Sequence, residues 1–318
     1  MDLTGTFNKT HATLQKAQHV LLIPHRHPDS DSLGGALVFH EWLEQKNIRA
    51  TIYCATEINP NISFLPGYHL VSESIPDDID VVCVFDSGDA QFAYLPEILE
   101  KFPKRPTVIS VDHHVSNDMY GDINLVVPTC ASTTALSYQF FKHHNIHITH
   151  TMATNMLAGL VTDTGIFSNP ATNIQAMEIG SDLMNAGARI ERIVTSLMRI
   201  KPIGALKLWG RALSRIEKHP NHDIAYTIIT QKDHKDCDVT KDDIAGLANF
   251  LNSVADCAVT LILKETEKGN IKGSLRTTQK NVDVSKFAIA LGGGGHAKAA
   301  GFTIPGKITE TSSGWKII

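Results

Sequence analysis

The run His25-Arg26-His27-Pro28-Asp29-Ser30-Asp31-Ser32-Leu33-Gly34-Gly35 stands directly behind a short apolar stretch, Val20–Ile23. The apolar stretch reads as a strand, which Pro28 stops from continuing. Helical spacing is evident over Ala36–Gln45, and the glycines before it allow a tight turn into a helix at Ala36. In an open parallel sheet, ligands bind beyond the carboxyl ends of the strands, and this loop lies there. Asp29 and Asp31 are two apart, so both can reach one cation. The competing reading is a solvated turn in which the Asp side chains bond their own backbone.

The neighbouring sequence decides between them. Ala50–Cys54, Ile79–Phe85 and Thr107–Val111 are further β-rich runs, almost continuously apolar and separated by longer segments. That pattern predicts buried parallel strands with crossover helices. Asp86 follows the third run, and Asp112, His113 and His114 stand at the end of the fourth. Asp163 ends an apolar helical stretch, Leu157–Val161. Several elements therefore deliver acids and imidazoles to one edge of one sheet, which predicts a metal site. Two divalent ions ~3.5–4 Å apart need several carboxylates. Mixed carboxylate and imidazole donors favour Mn²⁺ or a similar metal over Ca²⁺. An EF-hand reading from Asp29 fails, because its fifth position is Leu33 and its twelfth His40. No Walker loop, GxSxG or HExxH is present.

Composition narrows the class. The 318 residues hold 29 Lys+Arg against 33 Asp+Glu, a formal charge of −4, which argues against a protein that coats nucleic acid. Hydrophobic content of 42% with 19% charged residues fits a globular chain of about two domains. No apolar run approaches the ~18 residues of a membrane span, and residues 1–18 lack a secretory pattern. Five cysteines, odd in number and without a CxxC pair, fit a reducing interior. The expected location is cytoplasmic, with no membrane partner. The His143–His150 run reads as a solvated loop between helices.

From about Ser132 to Lys218 the pattern is helical; after His219 strands return, at Ile224–Thr230, Ala258–Lys264 and Ile271–Thr277, with a helix at Asp242–Ala255. The expected fold is α/β: a parallel-sheet domain (1–190), a helical connector (191–218), a smaller α+β domain (219–306) and a polar tail (307–318). In the second domain, Gly292-Gly293-Gly294-Gly295-His296-Ala297-Lys298 follows a strand bearing Arg276. Glycines let backbone N–H groups approach an anion, Arg276 can clamp a phosphate bidentately, and His296 and Lys298 add donors. A flexible linker is the competing reading, weakened by the apolar sequence that follows. No βαβ unit follows, so a dinucleotide fold is rejected.

Together these motifs resemble the DHH phosphoesterase superfamily, named for the triplet present here as Asp112-His113-His114, followed by its associated C-terminal domain. The first loop is similar to the family's HxxPDxD motif through His25, Pro28, Asp29 and Asp31. Asp86 and Asp163 match its second and fourth motifs, and the GGGGHxKAAG stretch from Gly292 matches its C-terminal loop. The resemblance implies two divalent ions held by His25, Asp29, Asp31, Asp86, His113 and Asp163, with Asp86 bridging. It implies that Asp112 orients a neighbouring imidazole and that His114 faces the phosphate. Arg276, Gly292–Gly295, His296 and Lys298 would hold the rest of the substrate in an active site between the domains. Where many members carry Ala-x-Gly-Ser, this chain has Ser32-Leu33-Gly34-Gly35, and His27 stands where many carry Asn.

The layout is similar to small oligoribonucleases that also remove the 3′-phosphate of adenosine 3′,5′-bisphosphate. The expected activity is Mn²⁺-dependent phosphoester hydrolysis of such short substrates, and a charge of −4 suits them because few phosphates need neutralising. A cyclic di-AMP phosphodiesterase is the alternative, a non-catalytic nucleotide-binding protein a third reading, and a haloacid-dehalogenase-like phosphatase using Asp29-Ser30-Asp31 a fourth. Family analogy suggests a homodimer.

Overall fold

Strand residues that are apolar on both faces require cover on both faces, and the structure supplies it. The computed structural model describes residues 3–198, 202–239, 246–266, 269–311 and 314–318. They divide into two compact units, Met1–Ile200 and Lys201–Ile318.

The first unit runs α1 (Thr4–Lys16), β1 (His19–Pro24), α2 (Ser30–Gln45), β2 (Arg49–Tyr53), β3 (Val71–Ser72), β4 (Val81–Phe85) and α3 (Leu95–Leu99). It continues with β5 (Thr107–Asp112), β6 (Ile123–Val126), α4 (Thr133–His143), α5 (His150–Asp163), α6 (Ile174–Asn185) and α7 (Ile190–Met198). The strands form one parallel sheet in the order β3-β2-β1-β4-β5-β6, in register through pairs such as Val20↔Val81, Val82↔Val108 and Ile109↔Ile123. Alternate residues part to opposite faces. Val20, Leu22, Cys83, Phe85 and Ile109 join one core with Trp42, Phe39, Phe140 and Leu160. Leu21, Ile23, Val82, Val84 and Val108 join another with Leu95 and Ile98. Successive strands run outward from β1 in one direction and from β4 in the other. The order thus reverses between β1 and β4, and the carboxyl ends flanking such a switch point are where α/β sheets bind ligands.

The helix expected from Ala36 begins six residues earlier. Asp29 is its N-cap, and its side chain accepts from the Asp31 and Ser32 amides, with Ser32 completing a capping box. Asp31 therefore sits in the first helical turn. Gly34 and Gly35 do not form a turn; they lie inside α2 for want of space. A Cβ on Gly34 would stand 2.9 Å from the Asn155 carbonyl of α5, and one on Gly35 3.0 Å from the Phe85 ring.

The second unit runs α8 (Ile203–Ser214), β7 (Glu217–Lys218), β8 (Ile224–Ile229), α9 (Gln231–Cys237), α10 (Leu247–Val254), β9 (Val259–Glu265) and β10 (Asn270–Arg276). Then come α11 (Val284–Ala290), β11 (Gly294–His296), β12 (Ala299–Pro305), β13 (Ile308–Thr311) and β14 (Gly314–Ile317). Its mixed sheet has the order β11-β12-β10-β9-β8-β7, with β8 and β9 parallel and the other pairs antiparallel. The start of the expected helix at Asp242 and residues 267–268 between β9 and β10 lie outside the described residues.

Three expectations change. The connector is not a separate element: Ile193 of α7 packs into the first unit's core, and Leu208 and Ala212 of α8 into the second's. The polar tail carries the β13–β14 pair, because Ile308 is buried against Ile228 and Ile271, with Trp315 packed beside them. The His143–His150 run is not simply solvated, since the His144 ring stacks on His11 with centroids 4.0 Å apart. Among the described residues, no helix is long and apolar enough to cross a membrane.

Candidate metal centre

The centre is built around Asp86, the first residue beyond β4. Its backbone takes the left-handed conformation (φ 59°), unusual for a residue with a side chain, and its amide donates to the Val111 carbonyl at 2.9 Å. Such backbone costs of order 1–3 kcal/mol and persists where surrounding structure enforces it. The buried carboxylate accepts from Thr133 Oγ1 at 2.9 Å and faces three imidazoles. Oδ2 lies 3.5 Å from His25 Nε2, and Oδ1 lies 3.4 Å from His113 Nε2 and 3.6 Å from His114 Nδ1.

The imidazoles are aimed from behind. His25 Nδ1 donates to the Arg26 carbonyl at 2.8 Å and His113 Nδ1 to the Cys130 carbonyl at 3.3 Å. A carbonyl can only accept, so each Nδ1 carries the proton and each Nε2 points inward as a potential ligand. His113 Nε2 also meets Asp163 Oδ2 at 3.0 Å, at the last residue of α5. Asp29 Oδ1 lies 3.8 Å from His25 Nε2. Asp31 is fully buried and fixed by the N-terminus of α4: it accepts from the Thr133 amide (2.6 Å), the Thr134 amide (2.9 Å) and Thr134 Oγ1 (2.5 Å). A helix N-terminus stabilises an anion there. Gly159 of α5 faces the same carboxylate; a Cβ there would lie 2.5 Å from Asp31 Oδ1 and strike the Thr134 side chain.

Three groups of donor atoms result, each with its atoms within 4.8 Å of one another: His25, Asp29 and Asp86; Asp31, Asp86, His113 and Asp163; and Asp86, His113 and His114. Asp86 belongs to all three. Electrostatics fit a cation. Burial disfavours charge on His25, yet the facing carboxylates of Asp29 and Asp86 raise its pKa to about 11. His113 rises likewise to about 12 through Asp163 and Asp86, against its burial. Asp163 is pushed up to about 6, first by burial, with the neighbouring Asp86 and Asp29 charges adding. Burial and the charges of Asp163 and Asp86 also raise Asp31. Asp86 is held well below the carboxylate range by the two imidazoles, despite burial. Four carboxylates and two inward Nε2 atoms, crowded enough to draw protons, are a donor set that divalent cations fit.

Asp112 is fully buried and takes no place in these groups. Its Oδ1 accepts from the His113 amide (2.8 Å), the His114 amide (3.2 Å) and His114 Nδ1 (2.7 Å); its Oδ2 accepts from Asn117 Nδ2 at 2.6 Å. His114 remains partly exposed, and its pKa is raised chiefly by Asp112. Thr133, Thr134 and Asn117 are absent from the sequence-based set. Ser132-Thr133-Thr134 was a legible helix-cap signature, and Ser132 does accept from the Ala135 amide.

In the second unit, the Arg276 guanidinium donates to the Leu275 carbonyl at 2.9 Å, and burial lowers its pKa. The glycine run has a largely structural explanation. Gly292 (φ 73°) and Gly293 close α11 as a Schellman motif, their amides donating to the Ile289 and Ala288 carbonyls. Those two N–H groups are therefore not free for an anion. A Cβ on Gly295 would lie 2.6 Å from the Ala299 carbonyl, whereas one on Gly294 would meet open space. The Lys298 ammonium is occupied by the Gln279, Lys280 and Val282 carbonyls at 2.5, 3.0 and 2.9 Å, so it ties down a turn. The side chain of His296 lies outside what the structure describes.

Comparison with known proteins agrees with this layout. A family model described as "DHH family, N-terminal domain" matches residues 19–160, and the DHHA1 domain model matches residues 221–312. The chain is 27% identical over 292 residues to the bifunctional oligoribonuclease and PAP phosphatase NrnA of Thermus thermophilus, covering 90% of this chain and 84% of that one. It is 24% identical to the Bacillus subtilis protein of the same name, covering 89% of each. The crystal structure of an exopolyphosphatase-related protein from Bacteroides fragilis superposes with a TM-score of 0.85 at 21% identity, over 94% of this chain and 90% of that one. The chain carries a DHH-family N-terminal domain followed by a DHHA1 domain, and it is a phosphoester hydrolase of the phosphodiesterase and phosphatase kind.

Proposed function

We propose that this protein hydrolyses short oligoribonucleotides and the 3′-phosphate of adenosine 3′,5′-bisphosphate, using two divalent cations, most suitably Mn²⁺. The observation that carries this reading is the sharing of Asp86 between two adjoining donor groups. His25, Asp29 and Asp86 would hold one cation; Asp31, Asp86, His113 and Asp163 would hold the other. When bound, such cations polarise phosphoryl oxygens and acidify water.

The chain's own residues do the rest. Asp112 accepts the Nδ1 proton of His114 and favours the charged form of that ring, in which Nε2 carries the transferable proton. As water attacks phosphorus and the ester P–O bond breaks, His114 Nε2 gives that proton to the departing oxygen. Thr133 and Thr134 hold Asp86 and Asp31 in place by hydrogen bonds. Arg276 and the Gly294–His296 segment are the substrate-binding elements of the second unit; Lys298 acts there by fixing the 279–282 turn.

The test is hydrolysis by purified protein with Mn²⁺ of a ribodinucleotide, adenosine 3′,5′-bisphosphate, cyclic di-AMP and a 24-mer RNA, beside His113→Ala. Turnover of the first two, lost in the variant, is the expected result. Preference for cyclic di-AMP would move the protein to cyclic-dinucleotide degradation at the same centre. Activity of His113→Ala equal to wild type would overturn the reading.

A further inference from the structure

His25 and Arg26 are consecutive at the end of β1, and their side chains part. The His25 ring turns in to Asp86, while Arg26 is exposed. Arg26 is nonetheless held in place. Its amide donates to the Phe92 carbonyl at 3.0 Å, and its guanidinium carbon sits 4.7 Å from the centroid of the Phe92 ring. That ring in turn packs on His25, with centroids 5.0 Å apart. The Phe92 segment is anchored as well, since its amide donates to Asp89 Oδ1 at 2.7 Å, three residues beyond Asp86. Arg26 is thus separated from a candidate metal-binding imidazole by one aromatic ring.

No carboxylate among the described residues pairs with Arg26, although Arg49, Arg105, Arg211 and Arg215 all have acidic partners. A cation–π contact does not consume the guanidinium's hydrogen-bonding capacity, so N–H groups remain for an acceptor. A fixed cation one ring away from the reacting phosphate is placed to meet a second anionic group on the same small substrate. Phosphate is the acceptor whose geometry the guanidinium fork matches.

We infer that Arg26, seated on Phe92, grips the phosphate that is not cleaved, and so selects substrates carrying a second phosphate. This rests on the phosphoesterase reading above, so its test uses binding instead of turnover. Adenosine 3′,5′-bisphosphate and adenosine 3′-monophosphate differ only in the 5′-phosphate. Their dissociation constants are measured by calorimetry for wild type, Arg26→Ala and Arg26→Lys under one set of conditions.

The expected result is that wild type prefers the bisphosphate by at least about tenfold, the scale of a charge-assisted hydrogen-bonded pair. Arg26→Ala reduces that preference to less than about twofold. Arg26→Lys, which keeps the charge but loses the planar fork, falls between them. Unchanged preference in Arg26→Ala would overturn the inference, as would a wild type that does not distinguish the ligands. Failure of the phosphoesterase reading shows separately, as absent turnover by wild type.

Discussion

Asp112 and His114 form the shortest carboxylate–imidazole contact at the centre, 2.7 Å between Asp112 Oδ1 and His114 Nδ1, with the carboxylate fully buried and the ring partly exposed. That pairing fixes which ring nitrogen holds the transferable proton, and it raises the pKa of His114. A raised imidazole pKa extends the protonated form to higher pH.

Asp112→Asn is therefore expected to bring the His114 pKa back down and to shift the alkaline limb of the rate profile to lower pH. Activity should fall by roughly 10²–10⁴-fold, the usual contribution of a positioned acid. The check is kcat against pH for both proteins. An unmoved alkaline limb would remove His114 from the role of proton donor.

Cation binding should release protons. The raised pKa values of His25 and His113, about 11 and 12, mean that both rings are protonated at pH 7 when no cation is bound. A metal takes each Nε2 lone pair, so protons should leave, and affinity should rise with pH and fall as pH falls. Calorimetry of Mn²⁺ binding in buffers of different ionisation enthalpy gives the count directly. Heat independent of the buffer would contradict it.

Thr133→Val removes one hydroxyl at nearly constant volume. It deprives Asp86 of its 2.9 Å donor while the Thr133 amide still serves Asp31. The expected cost is about 1–3 kcal/mol of stability, the scale for a buried acceptor left without its donor. Metal affinity should weaken about 10–100-fold, as for lost outer partners of ligands. Denaturant unfolding and metal titration measure the two effects separately.

Two glycine substitutions should behave oppositely. Gly159→Ala places a methyl group against Asp31 and the Thr134 side chain, and overpacking of this kind costs about 1–3 kcal/mol. Metal binding should suffer with it. Gly210→Ala in α8 meets nothing within 4 Å and should raise stability by roughly 0.5–1 kcal/mol through helix propensity. Thermal denaturation of both variants decides the matter.

The parallel strands and their terminal acids were legible because burial on both faces leaves continuous apolar runs, and Asp86 and Asp112 stand where those runs stop. Asp163 was legible for the same reason at the end of α5. α2 starts ahead of its expected first residue because Asp29, a candidate ligand, is also its N-cap, and a single carboxylate can serve as both. Thr133 and Thr134 stayed invisible as partners of Asp31 because they lie 102 and 103 residues away in sequence, on another helix. Lys298 and the glycine run showed the reverse error. Residue types suited to anions turned out to satisfy local carbonyls or to make room for β12, which only tertiary pairing reveals. Neither Ile123–Val126 nor Val71–Ser72 stood out as a strand, since short edge strands carry little pattern.

The most direct measurement is metal content with activity for wild type and Asp86→Asn, by elemental analysis after dialysis against Mn²⁺. Two ions per wild-type chain, with both the ions and the hydrolysis of adenosine 3′,5′-bisphosphate lost or severely reduced in Asp86→Asn, is the expected result. Full metal content and turnover in Asp86→Asn, or a wild type that turns over substrate without binding metal, would contradict a centre organised around Asp86.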